Sequence, residues 1–179
     1  MTTIIIGAGA SGLACGIRLK QNNPENEVII LERLNQPGKK ILATGNGRCN
    51  LSNTNAQDCK KVLDFFASLG LVTRCDEEGR IYPYSNQAAA VVDILINKCN
   101  ELGAEIITDC TVEQIDKDLT IKTNQGIFMA DNIVLACGGK AQKNLGSNGS
   151  GYHLMQSLGH SITSLSPALV QLTSSSKYP

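Results

Sequence analysis

At the start of the chain, apolar residues fall into two short continuous runs separated by a segment of helical period. Thr3–Ile6 stops at Gly7-Ala8-Gly9-Ala10-Ser11-Gly12, and Val28–Leu31 closes at Glu32. Between them Leu13, Ala14, Ile17 and Leu19 recur at helical spacing until Asn22-Asn23-Pro24 ends the pattern. Strand, glycine turn, helix and strand within about 30 residues make one βαβ unit. Strands apolar on both faces suit a parallel sheet that is covered on either side.

The next segment, Leu34–Asn55, has little regular pattern, and a loop of that length inside a compact domain is usually functional. It holds Pro37-Gly38-Lys39-Lys40 and Thr44-Gly45-Asn46-Gly47-Arg48-Cys49-Asn50. Val62, Leu63, Phe65, Phe66 and Leu69 then mark a helix capped by Gly70, and Gly79–Ser85 reads as extended. Ala88, Val91, Val92, Leu95, Ile96, Cys99 and Leu102 form the cleanest amphipathic helix, ended by Gly103. Glu105–Ile107 is expected to be a third parallel strand. Thr111–Ile115, Leu119–Thr123 and Gly126–Ala130, separated by turn signals, predict an antiparallel meander. Ile133–Ala136 is again a buried strand, broken by Gly138-Gly139, and a last helix spans Tyr152–Leu158 before Gly159. The pattern predicts a Rossmann-like, doubly wound α/β fold whose parallel sheet carries a β-meander crossover at about 111–130. One domain over 1–172 is expected, with 173–179 as a polar tail.

Composition narrows the class. With 42% hydrophobic and 18% charged residues, the 179-residue chain is suited to a packed core and not to disorder. Sixteen basic residues balance sixteen acidic ones. Read as dispersed, they give no footprint for nucleic acid or an anionic membrane. Aromatics at 4% supply few base-stacking platforms. No apolar run approaches the ~18 residues a spanning helix needs, and the N-terminus lacks a signal-peptide pattern. Seven cysteines without a Cys-x-x-Cys pair read as reduced thiols, with no metal site expected. A cytoplasmic protein acting on a small molecule is the expectation, with its oligomeric state left open.

The glycines are informative because they cluster. Gly7-x-Gly9-x-x-Gly12 follows a strand and opens a helix, and Glu32 lies 32 − 12 = 20 residues beyond the third glycine. Gly7 permits a tight turn, Gly9 lets backbone approach a pyrophosphate, and Gly12 lets helix and strand pack closely. Gly16 extends the pattern towards closer helix–sheet contact. A helix N-terminus offers unpaired N–H groups to phosphates. Glu32 can accept a ribose hydroxyl, which disfavours a 2′-phosphate at that position. The constellation points to a dinucleotide; the triplet alone leaves NAD and FAD both open.

Further blocks stand in order along the chain: Ile29-Ile30-Leu31-Glu32, Thr44–Asn50, Gly79-Arg80-Ile81-Tyr82-Pro83 and Ala136-Cys137-Gly138-Gly139. Gly146–Tyr152, Gly159-His160 and Pro167-Ala168-Leu169 complete the series. With Gly7–Gly16, this series resembles the N-terminal part of the BaiN-like (YhiN-like) bacterial flavoproteins, a family of NAD(P)/FAD-dependent oxidoreductases. The resemblance runs to about Leu172, and the Thr-Gly-Asn-Gly-Arg-Cys-Asn block is its most specific part. It implies a glutathione-reductase-like FAD-binding domain. Gly7, Gly9, Ala10, Ser11 and Gly12 would hold the pyrophosphate, and Glu32 with Arg33 the adenosine ribose. Val112 would meet adenine through its backbone. Lys40, Thr44, Asn46, Gly47, Arg48, Cys49 and Asn50 would run along the ribityl chain towards the flavin. Ala136 and Gly138 would stand beside the cofactor, with Cys137 where the family's strand end usually has threonine.

The resemblance implies FAD as cofactor, NADH or NADPH as reductant, and hydride delivery to an organic substrate. The Gly138-Gly139 strand end with Gly149-x-Gly151-Tyr152 is also similar to fumarate-reductase-like flavoproteins, which suggests an activated C=C bond; amine oxidation stays open. Because family members are more than twice as long, a second expectation is a FAD- or nucleotide-binding fragment without independent activity. Single residues carry paired readings. Cys49 is a reactive thiol or a small group packed under the cofactor. His153 and His160 are proton donors or surface and capping groups. Tyr82 and Tyr84 line a cleft or cover the sheet. Arg48 attracts an anion or pins its loop through backbone carbonyls.

Overall fold

The computed structural model describes residues 1–167. The first half of the chain gives β1 (Thr2–Ile6), α1 (Ala10–Asn22), β2 (Glu27–Leu31), α2 (Lys39–Ala43), β3 (Ser52–Asn53), α3 (Cys59–Ser68), β4 (Thr73–Cys75) and β5 (Arg80–Pro83). The second gives α4 (Ala88–Glu101), β6 (Ala104–Ile107), β7 (Val112–Ile115), β8 (Thr120–Thr123), β9 (Gly126–Met129), β10 (Asn132–Leu135) and α5 (Ser150–Ser157).

The central sheet is parallel, in the order β10-β1-β2-β6. Ile4 of β1 stands opposite both Ile29 and Ile133, so isoleucines from three strands meet at its centre. Alternate side chains leave the two faces of this sheet. Ile5, Val28 and Ile30 pack under Leu13 and Ile17 of α1 and Val91 and Leu95 of α4. Ile4, Ile6 and Leu31 turn the other way, towards Ile115 and Ile121 of the antiparallel β7-β8-β9 meander and Leu154 of α5. One face is therefore covered by helices and the other by the meander and α5. Gly16 lets α1 approach the sheet closely, since a Cβ there would lie 2.8 Å from Cδ1 of Ile30.

Two parts differ from the sequence expectation. The stretch read as irregular contains α2 and a 3-10 turn over Thr44–Gly47. A five-residue helix completes little more than one turn, so it leaves no periodicity to read. β3, β4 and β5 form a second small sheet in the order β3-β5-β4, of which only the β5 region was legible as extended. Strands of two to four residues are too short to show alternation. The motif residues Ala168 and Leu169, the domain limit at 172 and the tail at 173–179 lie outside the described residues.

Cys99 of α4 sits in the helical layer with no exposed surface, and its Sγ lies 3.6 Å from the Leu13 carbonyl it donates to. Burial pushes this thiol from 9.0 up to about 11. Between those values the unfolded chain releases a proton that the native state keeps, so stability is full below pH 9 and falls as pH rises towards 11. Chemical denaturation across that range is expected to show the decline, and Cys99→Val to flatten part of it.

Candidate functional site

The first βα turn is built as its glycines require. Gly7 adopts φ +109°, and its N–H donates to the Leu31 carbonyl at 2.7 Å. A Cβ on Gly7 would lie 2.6 Å from the Ala136 carbonyl oxygen, and one on Gly12 would lie 1.9 Å from the Gly7 oxygen. Gly9 is the opposite case: nothing stands within 4 Å of where its Cβ would be. The first turn of α1 has no side-chain cap and no acidic residue, so its N–H groups stay open. Glu32 staples this turn to the end of β2. Its Oε2 accepts from the Ala8 N–H at 2.8 Å and its Oε1 from the Leu34 N–H at 2.9 Å. Each oxygen keeps a lone pair for a further donor.

A cavity of about 760 Å³ opens along the C-terminal ends of β1, β2 and β10, where open α/β sheets bind ligands. It brings together Gly7, Gly9, Ala10 and Ser11 from the turn with Glu32 and Arg33 just past the end of β2. Lys40, Thr44, Cys49 and Asn50 line it from the following segment, Val112 from β7, and Ala136 and Gly138 from beyond β10. Gly12, Asn46, Gly47 and Arg48 do not line it. Gly12 is turned into the turn's own backbone, and Asn46 and Gly47 are exposed at a loop tip. His153 and His160 are exposed and outside the cavity.

The contacts of Arg48 are those of the loop-pinning reading. Its Nε donates to the Gly45 carbonyl at 3.1 Å and its guanidinium lies 4.5 Å from the Tyr82 ring centroid. Arg48 therefore pins its loop and stacks on an aromatic floor. Tyr82 is only 2% exposed, whereas Tyr84 is 69% exposed and outside the cavity. The loop above Tyr82 is left-handed at Gly45, Asn46, Gly47 and again at Cys49, which has φ +59°. The Cys49 thiol is buried at the cavity wall, and burial raises its pKa against a smaller lowering by a Thr44 hydrogen bond. It stays protonated at neutral pH, which favours the packing role over the reactive one. Cys137 is likewise pushed up by burial, and its Sγ lies 3.4 Å from the Ile6 carbonyl.

Two walls of the cavity were not foreseen. Phe65 and Phe66 of α3, edge to face at 5.3 Å, join Val91 and Leu95 of α4 in an apolar wall. The helix was readable in the sequence, but which face of it met open space was not. The other wall is the loop after β10, where Leu145, Gly146 and buried Ser147 line the cavity. Lys40 Nζ donates to the Ala141 carbonyl at 3.0 Å and to Ser147 Oγ, and Arg33 donates to the Gly146 carbonyl at 3.2 Å. The clustered glycines at 146–151 were the available signal for this wall. Among the described residues no group of side chains could hold a metal ion, all seven cysteines are free, and no helix is long and apolar enough to cross a membrane.

A parallel sheet, a glycine turn, an uncapped helix N-terminus and a cavity along the strand ends define a Rossmann-type nucleotide-binding domain. The profile of the HI0933-like protein Rossmann domain matches residues 1–61 and 55–175. The chain belongs to that family. It is 43% identical over 191 aligned positions to the 3-dehydro-bile acid delta(4,6)-reductase of Clostridium scindens, covering 94% of this chain and 46% of that protein. Identity to the ribosomal RNA dihydrouridine synthase of Escherichia coli is 26%, covering 95% of this chain and 47% of the synthase. The chain thus spans about half the length of the curated relatives it matches. Among solved structures, Thermovibrio ammonificans THI4 aligns with a TM-score of 0.62 at 17% identity, over 88% of this chain and 62% of THI4. L-proline dehydrogenase from P. horikoshii gives 0.59 at 14% identity, over 79% and 54% of the two chains. These two likenesses show the fold.

Proposed function

We propose that this chain forms the FAD-binding part of an oxidoreductase that reduces a carbon–carbon double bond conjugated to a carbonyl, with NADH or NADPH as reductant. The observation that carries the reading is the cavity at the strand ends, entered by the uncapped first turn of α1. Its donor set fits a dinucleotide. The space beside Gly9, which a Cβ would occupy, suits a pyrophosphate, and Ala10 and Ser11 of the uncapped first turn line the same cavity. Glu32, already holding two backbone N–H groups, would accept the ribose hydroxyls and repel a 2′-phosphate. Val112 would flank adenine, and Thr44, Cys49 and Asn50 would lie along the ribityl chain, with Ala136 and Gly138 closing the far side. When bound, FAD would supply two-electron chemistry between the nicotinamide and the double bond, whose saturation takes one hydride and one proton. The protein's part is to fix that geometry and to exclude water with the Phe65–Phe66 wall.

The choice of reaction rests on what the curated relatives share. Their names give different substrates, a bile acid and ribosomal RNA, yet each describes saturation of a double bond conjugated to a carbonyl. The substrate itself is left between those classes. Zero net charge over this span does not exclude RNA, contrary to the sequence expectation, because relatives of twice the length include RNA-acting enzymes. The whole protein's activity belongs to this proposal.

Purified protein is expected to carry, or take up, FAD with its visible absorbance. NADH or NADPH added without oxygen should bleach it, and an enone should restore the colour. Colourless protein that takes up no FAD would overturn the reading.

A further inference from the structure

We propose that Lys40 couples occupation of the cavity to closure of the loop Gly139–Gly149, acting as a latch that an anionic ligand tightens. This inference rests on the FAD reading. The loop is compact, with its ends joined by the Gly149 N–H to the Gly139 carbonyl at 3.1 Å. Gln142, Gly146 and Gly149 are left-handed, and a single 3-10 turn over Lys143–Leu145 is the one regular piece within it. Among the described residues, every hydrogen bond that crosses the cavity to this loop comes from Lys40 or Arg33.

Two features make Lys40 a relay and not merely a strut. A lysine ammonium has three N–H donors, and two are engaged by Ala141 and Ser147, leaving one while the side chain lines the cavity. Both acceptors are neutral, and among the described residues no carboxylate lies within ion-pairing distance of Lys40 or Arg33. Four cations, Arg33, Lys39, Lys40 and Lys61, line the cavity against the one carboxylate of Glu32, whose two oxygens are engaged by the Ala8 and Leu34 N–H groups. A phosphate oxygen accepting the third N–H would fix the long side chain in the one arrangement that also holds Ala141 and Ser147. The loop then closes more often, and by reciprocity a closed loop retains the dinucleotide better. Arg33, with one donor on Gly146, supports the loop from just past the end of β2.

Trypsin provides the readout, because Lys140 and Lys143 are exposed in this loop. Cleavage after these two residues, followed by mass spectrometry on the full chain, should slow about tenfold when FAD is added, the effect of one charge-assisted hydrogen bond. Lys40→Met should be cut faster when empty and gain less than about twofold protection from FAD. Lys40→Arg should recover part of the protection. Ser147→Ala keeps the ammonium for phosphate and loses one loop contact; compared at equal FAD occupancy, it should lose much of the protection. FAD uptake is measured by flavin fluorescence in the same samples. Uptake without protection in the parent, or full protection in both Lys40→Met and Ser147→Ala, overturns the latch while leaving the FAD reading standing. No uptake by the parent overturns both.

Discussion

Gly12→Ala is expected to be the most damaging single-methyl change in the chain. The new Cβ would lie 1.9 Å from the Gly7 carbonyl oxygen and 3.1 Å from its carbon, and both are backbone atoms that cannot rotate aside. Gly7 cannot retreat either. Its N–H is bound to the Leu31 carbonyl and its own Cβ position is walled by Ala136 and Cys137. Relief must come from lifting α1 off the sheet, which separates Leu13 and Ile17 from Ile5 and Ile30, all of them without exposed surface. The cost should be about 3 kcal/mol or more, the upper end for overpacking. In a domain of this size that lowers the midpoint of thermal unfolding by roughly 10 °C. Flavin binding should be lost together with it. Calorimetry showing a parent-like transition would mean that α1 does not pack through Gly12 as described.

The same glycine turn shows why much of the fold was legible. Continuous apolar runs at Thr3–Ile6, Val28–Leu31 and Ile133–Ala136 became neighbouring parallel strands because each must bury both faces. Gly103 closed α4 and Gly70 followed α3, each with positive φ, so the helix ends were visible as residues that tolerate that conformation. What escaped was set by tertiary contact. Arg48 and Cys49 sit in one seven-residue motif, yet Arg48 turns down onto Tyr82 while Cys49 faces the cavity. The alternation of left- and right-handed backbone that separates them leaves no hydropathy signal.

The site was legible as chemistry and less so as enclosure. A strand-end acid twenty residues past the glycines announced Glu32, but its two bonds to the Ala8 and Leu34 N–H groups depend on how the turn folds back. Charge balance was the least informative quantity. Arg33 and Lys40 contribute to a net of zero, yet the fold gathers them with Lys39 and Lys61 on one cavity that holds a single carboxylate, Glu32. A sum over the chain cannot register that segregation, because the acids other than Glu32 lie away from the cavity.

Gly9→Ala should separate binding from folding, which makes it the sharper probe of the site. Gly9 has φ −80° and ψ −172°, extended backbone that alanine adopts without strain. Its Cβ would meet nothing within 4 Å, so the core is untouched. Losing glycine at the N-cap of α1 should cost stability by no more than about 1 kcal/mol. The methyl group would nevertheless stand in the space beside the open N–H groups of the first turn. A pyrophosphate held there must shift by about the radius of a methyl group and lose two charge-assisted hydrogen bonds, a fall in FAD affinity on the order of a hundredfold or more. Thermal unfolding and flavin titration on the same preparation decide it. A stable variant that binds FAD like the parent would move the pyrophosphate away from Gly9. Equal loss in both measurements would instead mean that this turn serves the fold alone.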